Sequence, residues 1–409
     1  MPLVAIVSDL DYAELRRQRR ELRRRQVRRR RLTALGILTA LALVAIFGLS
    51  RLFTGSAGAQ VDLVPVGNAL PATTFRTPLP EEIRGVHITG PLMSLPGKFA
   101  QYLALKRDGL NTVEIDLKDE SGNVSFVNGA PAIARHDGAA RAYFNPKQVV
   151  AQAHKAGIYV IGRVVSFEDP ITAVAHPDMA IHKSDGSIWT TSGGLAWLNP
   201  YSHKAWRYDV DVAVAAAKAG FDEIQFDYTR FPSDGDLSII RYPGAHPQPM
   251  KQTITAYLRY AASRLHPLGV RVSADVFGLS ATRDLGIGQF PSQIGNVVDT
   301  IYPMTYPSHY TAGEFNLPDP NAAPRATVAD SLRDFRAQLD GERAAVVPWL
   351  QDFSLGRTYS AADVAAQIAA AREADTGGFM LWNADGVYTK QELRHGAPPP
   401  LPELPTPGL

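Results

Sequence analysis

Two aspartates at the ends of adjacent strand-like runs, Asp227 and Asp275, are the residues best placed to do chemistry in this sequence. Asp227 lies in F-D-E-I-Q-F-D-Y-T-R-F-P (Phe221–Pro232), which follows Gly220, reads as a strand from Glu223 to Tyr228 and breaks at Pro232. Asp275 lies near the end of the run Arg271–Phe277. Paired carboxylates with separated pKa values are what cleavage of a glycosidic bond requires. One stays protonated to donate to the leaving oxygen, and the other stays ionised as nucleophile or base. Arg163, between apolar neighbours in a third run, would hold Asp227 ionised.

Side chains along a strand alternate between the two faces of the sheet. If Asp227 faces inward, so do Gln225 and Thr229. The run Thr112–Lys118 places Glu114, Asp116 and Lys118 on one face and Val113, Ile115 and Leu117 on the other, so the polar set is expected inside. Collecting Asp116, Lys118, Arg163, Asp227 and Asp275 around one axis is costly unless they are paired. A core built only for stability would not do so. The competing reading, a salt-bridge network filling the barrel mouth, applies most to Asp116, Lys118 and Arg163.

The elements that must position these groups recur eight times. Strand-like runs at Gly85–Thr89, Thr112–Lys118, Ile158–Val165, Glu223–Tyr228, Arg271–Phe277, Val298–Tyr306, Ala345–Gln351 and Gly378–Trp382 alternate with helical ones. The helical runs are Pro96–Asp108, Pro146–Ala156, Ser202–Ala219, Pro249–His266, Pro291–Asn296, Ala326–Asp340 and Ser360–Ala374. This alternation predicts an α/β fold, a (β/α)8 TIM barrel with its chemistry at the C-terminal ends of the strands. A doubly wound open sheet is the alternative.

Further inward candidates are His87, Tyr302, Tyr306, Trp349, Gln351 and Trp382. With Trp189 and Trp197 on the long connection Ser166–Tyr201, the aromatics suit stacking against sugar rings, and the polar groups suit hydroxyls. The second long connection, Pro307–Arg325, is expected to help shape a cleft. His87, His176 and His182 show no metal-ligand spacing, and no G-x-G-x-x-G or P-loop follows a strand, so neither a metal nor a cofactor is expected. There is no cysteine, which excludes a thiol nucleophile and a disulfide framework.

The net charge of +2 hides an asymmetry. Residues 1–51 carry 12 Arg against 4 Asp/Glu, leaving 30 basic and 36 acidic residues, about −6, in the rest. The basic stretch 1–31 adjoins Leu32–Ser50, an uncharged apolar run of 19 residues, long enough to span a bilayer. Its flanking arginines predict a cytoplasmic N-terminus and an extracytoplasmic remainder, single-pass in the cell membrane. Cleavage of a signal segment near Ala59 is the alternative. The arginines are read as topological, with no nucleic-acid partner. Residues 51–80 read as a linker, 81–396 as the barrel and 397–409 as a proline-rich tail.

Three stretches carry a family resemblance: R-G-V-H-I-T (Arg84–Thr89), I-Q-F-D-Y-T-R-F-P (Ile224–Pro232) and I-Y-P-M-T-Y-P-S-H-Y (Ile301–Tyr310). Through them the region from about Arg84 to Glu392 resembles the bacterial family called "Putative glycosyl hydrolase domain". H-P-D-M (His176–Met179) with W-L-N-P (Trp197–Pro200) is similar to an H-P-x-W…N-P pattern of related barrels. A more distant likeness is to family 18 chitinases, whose F-D-G-I-D-I-D-W-E strand aligns with Phe221–Thr229. G-F-M-L-W (Gly378–Trp382) matches their last strand. Thr229 stands where those enzymes place their acid glutamate, so their substrate-assisted mechanism is not implied. Amylase-like barrels place a nucleophile at the Asp227 position and an acid on the next strand, where Asp275 lies. The resemblance implies a TIM-barrel glycoside hydrolase acting on a poly- or oligosaccharide. The alternatives are a non-catalytic carbohydrate-binding barrel and an envelope scaffold without a pocket.

Overall fold

In this computed structural model the described residues are 73–246 and 248–394. The expected apolar span 32–50, the basic stretch, most of the linker and the tail lie outside them. Among the described residues no helix is long and apolar enough to cross a membrane.

Eight parallel strands close into a barrel: β1 (Ile83–Ile88), β2 (Thr112–Lys118), β3 (Tyr159–Val165), β4 (Glu223–Asp227), β5 (Arg271–Phe277), β6 (Thr300–Met304), β7 (Ala345–Val346 with Trp349–Gln351) and β8 (Gly378–Trp382). Each pairs with its neighbour in chain order, and β8 returns to β1. The expected seventh strand is split, and the sixth is shorter than expected. Pro303 lies in β6 and Pro348 in the break of β7, and neither has an N–H to donate to a ladder. The β6–β7 seam is therefore held at its two ends, by Thr300 and Ile301 opposite Ala345 and Val346, and by Met304 opposite Trp349.

Seven helices follow the expected positions within a few residues: α1 (Lys98–Ala104), α2 (Pro146–Lys155), α3 (His203–Ala219), α4 (Met250–Leu265), α5 (Pro291–Ile294), α6 (Pro324–Leu339) and α7 (Ala361–Glu373). Their starts are set by local chemistry. Ser202 caps α3 by accepting from the Ala205 N–H, and Ser360 and Asp363 form a reciprocal capping box on α7. The outward strand residues Val113, Ile115, Val164, Ile224 and Val272 pack under these helices as the main core. A second apolar cluster (Ile83, Tyr159, Ile161, Tyr302, Val347, Trp349, Met380) fills the barrel interior. At the opposite end from the strand C-termini, the last linker residues dock on the barrel. The Thr77 hydroxyl donates to Asp222 (2.6 Å), and the Arg76 N–H donates to the Gly269 carbonyl (3.0 Å).

Lys118 departs from strict alternation. The β2–β3 register pairs Asp116 with Arg163 but Lys118 with Val164, leaving Leu117 as an extra residue. This bulge turns Lys118 away from the axis, to the helix side that Val164 also faces. There its Nζ, fully buried, lies 2.9 Å from Asp169 and 2.5 Å from Asp209 of α3. Lys118 is thus a strut between sheet and helix rather than part of the axial set. Lys118→Met should cost about 3–5 kcal/mol, because two buried carboxylates lose their shared cation. Burial pushes the Asp209 carboxyl up to about 7, even with Lys118 opposing. Without Lys118 that carboxyl rises further, so the deficit, measured by urea unfolding, should shrink as the pH falls towards 7.

Candidate active site

At the C-terminal ends of β3 to β8 the barrel opens into a cavity of about 540 Å³. Arg163, Asp227, Asp275, Met304, Trp349 and Trp382 come from the strand ends. Phe277 ends β5, and Tyr228, Arg230, Ile287, Tyr306, His309 and Tyr310 come from the connections that follow. The volume suits a sugar of one or two rings, and an apolar wall with a few convergent polar groups is the usual form of such a site.

Arg163 organises the polar side. Its Nε and Nη2 donate to Asp227 Oδ2 (3.0 and 2.7 Å), and its Nη1 donates to Asp116 Oδ1 (2.7 Å). All three residues are buried. The other Asp227 oxygen, Oδ1, accepts from the Tyr228 N–H (2.6 Å). The Asp116 carboxyl is lowered although burial opposes this, because His87 and Arg163 outweigh it. Behind Asp116, His87 Nε2 lies 3.5 Å from Asp116 Oδ2 while Nδ1 meets Glu114 Oε2. Burial acts to lower the His87 pKa, yet the two carboxylates raise it to about 9. A line of alternating acidic and basic groups thus runs Glu114, His87, Asp116, Arg163, Asp227.

Asp275 has a different environment. Its Oδ1 accepts from two neutral donors, Gln225 Nε2 (2.8 Å) and Trp349 Nε1 (2.7 Å). Burial pushes its carboxyl well above the usual range, and the nearby charges of Asp227 and Glu114 push it further. Of the pair, Asp275 is therefore the carboxyl better placed to hold a proton. The sequence is what separates the two: Arg163 lies on β3 beside β4, while the neighbours of Asp275 on β4 and β7 are an amide and an indole.

The remaining expected residues fall into two groups. Tyr306, Trp349 and Trp382 line the cavity. Trp382 stacks on His87 (4.2 Å between ring centroids) and lies 5.2 Å from the Arg163 guanidinium carbon. His87 and Asp116 sit beneath, reaching the cavity through Trp382 and Arg163 rather than directly. Tyr302 is wholly buried in the interior cluster below. Gln351 accepts from the Ser308 N–H (3.0 Å) and donates to the Phe353 carbonyl (2.9 Å), so it pins the loop after β6. Trp189 and Trp197 do not offer free faces. Both are buried inside their own long loop, with Trp197 donating to Glu168 (2.9 Å). Thr229 is also buried, its hydroxyl 3.5 Å from the Asp275 carbonyl oxygen, because Tyr228 (φ 52°) breaks the strand alternation just before it.

Two participants were not singled out by type and spacing. Glu114 was placed on the axis but without a role, and its Oε1 is buried without a hydrogen-bond partner among the described residues. Arg230 sits in a turn where alternation gives no facing, although it belongs to the same Phe221–Pro232 stretch as Asp227.

A closed parallel barrel carrying paired carboxylates at its C-terminal mouth is an architecture shared by many sugar hydrolases. Residues 85–388 match the family model described as "Putative glycosyl hydrolase domain", and the chain belongs to that family. No curated protein sequence matches it. Among solved structures, a hypothetical protein from Ruminiclostridium thermocellum shares 33% identity over 47% of this chain and 97% of its own, with a TM-score of 0.43. The PgaB (BpsB) glycoside hydrolase domain from Bordetella bronchiseptica superposes at a TM-score of 0.53 with 14% identity, covering 74% of this chain and 94% of that domain. The catalytic domain of β-amylase from Paenibacillus polymyxa gives 0.50 and 10%, covering 78% and 97%. The last two likenesses show the fold.

The histidine yields a test by linkage. A group whose folded pKa is raised contributes stability that is present below its unfolded pKa, near 6.5, and lost as pH rises through about 9. The His87 contribution to the unfolding free energy should therefore fall between pH 6.5 and 9, by about 3 kcal/mol, the equivalent of the shift. His87→Gln should flatten that slope, as measured by denaturant titrations across the range.

Proposed function

We propose that the protein is a glycoside hydrolase in which Asp227 is the ionised nucleophile or base and Asp275 the acid. The observation that carries this reading is the contrast between the carboxyls. Asp227 receives two donors of a buried guanidinium, whereas Asp275 is buried beside Asp227 with neutral donors only. Pushing two neighbouring carboxyl groups apart in this way assigns acid and base. Trp349, Trp382 and Tyr306 would line the sugar subsite, with Arg163, Asp116 and His87 holding and tuning the charges. Their wall supports a pyranose face, and it counts against a scaffold without a pocket.

The burial of Thr229 supports leaving the chitinase mechanism aside, since no side chain at that position reaches the cavity. The same observation keeps a binding-only barrel as the second reading. The substrate class proposed is a cell-surface or extracellular polysaccharide. Residues 32–50 would hold the barrel outside the membrane, a placement supported by their apolar run and its arginine flank.

A polysaccharide panel scored for new reducing ends tests the reading. Asp275→Asn should lower turnover by about 10²–10⁴-fold, the usual contribution of a general acid. Asp227→Asn should reduce it to background, with both variants folding normally by circular dichroism. Undiminished turnover in either variant removes that residue from its role, and no cleavage by the native protein leaves the binding-only barrel. The pH profile gives an independent check. Activity should fall on the alkaline side as Asp275 loses its proton, and this limb should be absent from the residual activity of Asp275→Asn.

A further inference from the structure

Arg230 is a buried cation that the two-carboxylate chemistry does not use. It lines the cavity and is only 7% exposed. Three aromatic rings surround its guanidinium: Trp197 and Phe277 at 4.9 Å and Tyr228 at 5.0 Å from the guanidinium carbon. A guanidinium has five N–H donors. Here one of them is engaged within the described residues, Nη1 to the Phe231 carbonyl at 3.2 Å. No carboxylate among those residues lies within ion-pairing distance, although Asp227, Glu168 and Asp234 act on it from farther away. Arg163, across the same cavity, has both of its carboxylate partners in hand.

The backbone is bent to place this side chain. Tyr228 holds φ at 52°, an uncommon conformation for a bulky residue, and the Arg230 N–H closes the turn on the Tyr228 carbonyl (2.9 Å). Strain of this kind persists where surrounding structure enforces it, and it clusters at functional sites. A desolvated guanidinium without an anion is unfavourable, and the aromatic faces offset this only in part. Its planar fork is matched to a planar carboxylate.

We propose that Arg230 is a specificity-determining residue that receives the carboxylate of an acidic sugar, so that the substrate is a uronic-acid-containing saccharide. This rests on the sugar-binding reading of the cavity but not on cleavage. Glu168, the nearby acid that hydrogen-bonds to Trp197, is raised to about 7 by its burial. Its repulsion of an incoming anion is therefore reduced at and below neutral pH.

The test is calorimetric binding to the full chain carrying Asp227→Asn, so that binding is read apart from turnover. The probes are a uronic-acid disaccharide, its methyl ester, the corresponding neutral disaccharide and a sulfated one. The uronate should bind at least about tenfold more tightly than its ester and the neutral sugar, because only it presents a charged fork to the guanidinium. Arg230→Met should remove that preference, and Arg230→Lys should restore only part of it, the charge being kept and the fork lost. Equal affinity for the uronate and its ester, a preference that survives Arg230→Met in a folded variant, or no uronate binding at millimolar concentration would overturn the proposal. Tighter binding of the sulfated probe than of the uronate would overturn the carboxylate assignment. The comparison of uronate with ester needs no change at Arg230, so a variant that fails to fold does not block the test.

Discussion

One guanidinium, Arg163, buried between Asp116 and Asp227, is the constraint on which the mouth of the barrel depends. A charge in such a place is tolerated only with partners, and each partner brings its own requirement. Asp116 is compensated from behind by His87, and His87 by Glu114, so the charges run in an alternating line into the barrel wall. The line ends at Asp227, the one carboxylate of the series that opens on the cavity. Removing any member leaves its neighbour buried and unmatched. That explains why β1, β2, β3 and β4 must keep their register to within a residue.

The same geometry separates two aspartates that are alike in sequence. Arg163 lies on the strand next to Asp227 and can reach it with two nitrogens. Asp275, one strand farther round, meets Gln225 and Trp349 and feels the negative charge of Asp227. Low dielectric then amplifies this difference in neighbours and favours the proton on Asp275. The aromatic side of the cavity reinforces this by excluding water, and it also supplies faces for a ring. Polar chemistry and apolar recognition are thus arranged on opposite arcs of one strand circle.

Much of this was legible in the sequence because strands keep a period of two. The eight strands, the inward set Asp116, Arg163, Asp227 and Asp275, and the cavity residues Tyr306, Trp349 and Trp382 follow from it. What was not legible lies where the period breaks. A single extra residue at Leu117 sends Lys118 to the helix layer. Pro303 and Pro348 interrupt the β6–β7 seam, for which composition gave a warning but no outcome. The positive φ of Tyr228 buries Thr229 and aims Arg230 in a way that alternation cannot express. Trp189 and Trp197 were misleading because a loop of this length builds its own core, joined to the β4 loop through the short ribbon His182–Lys183 with Ile240–Arg241. Depth along the axis was also hidden, since Tyr302 is inward but lies below the cavity.

The central claim is that Asp275 carries a proton at neutral pH while facing Asp227 across one cavity. Carboxyl-carbon NMR of selectively labelled aspartate, followed against pH and assigned by the loss of one resonance in Asp275→Asn, measures this directly. The account predicts that the Asp275 resonance stays in its protonated position through neutral pH and moves only above the ordinary carboxylate range. An Asp275 that ionises near pH 4, like an aspartate in water, would contradict it.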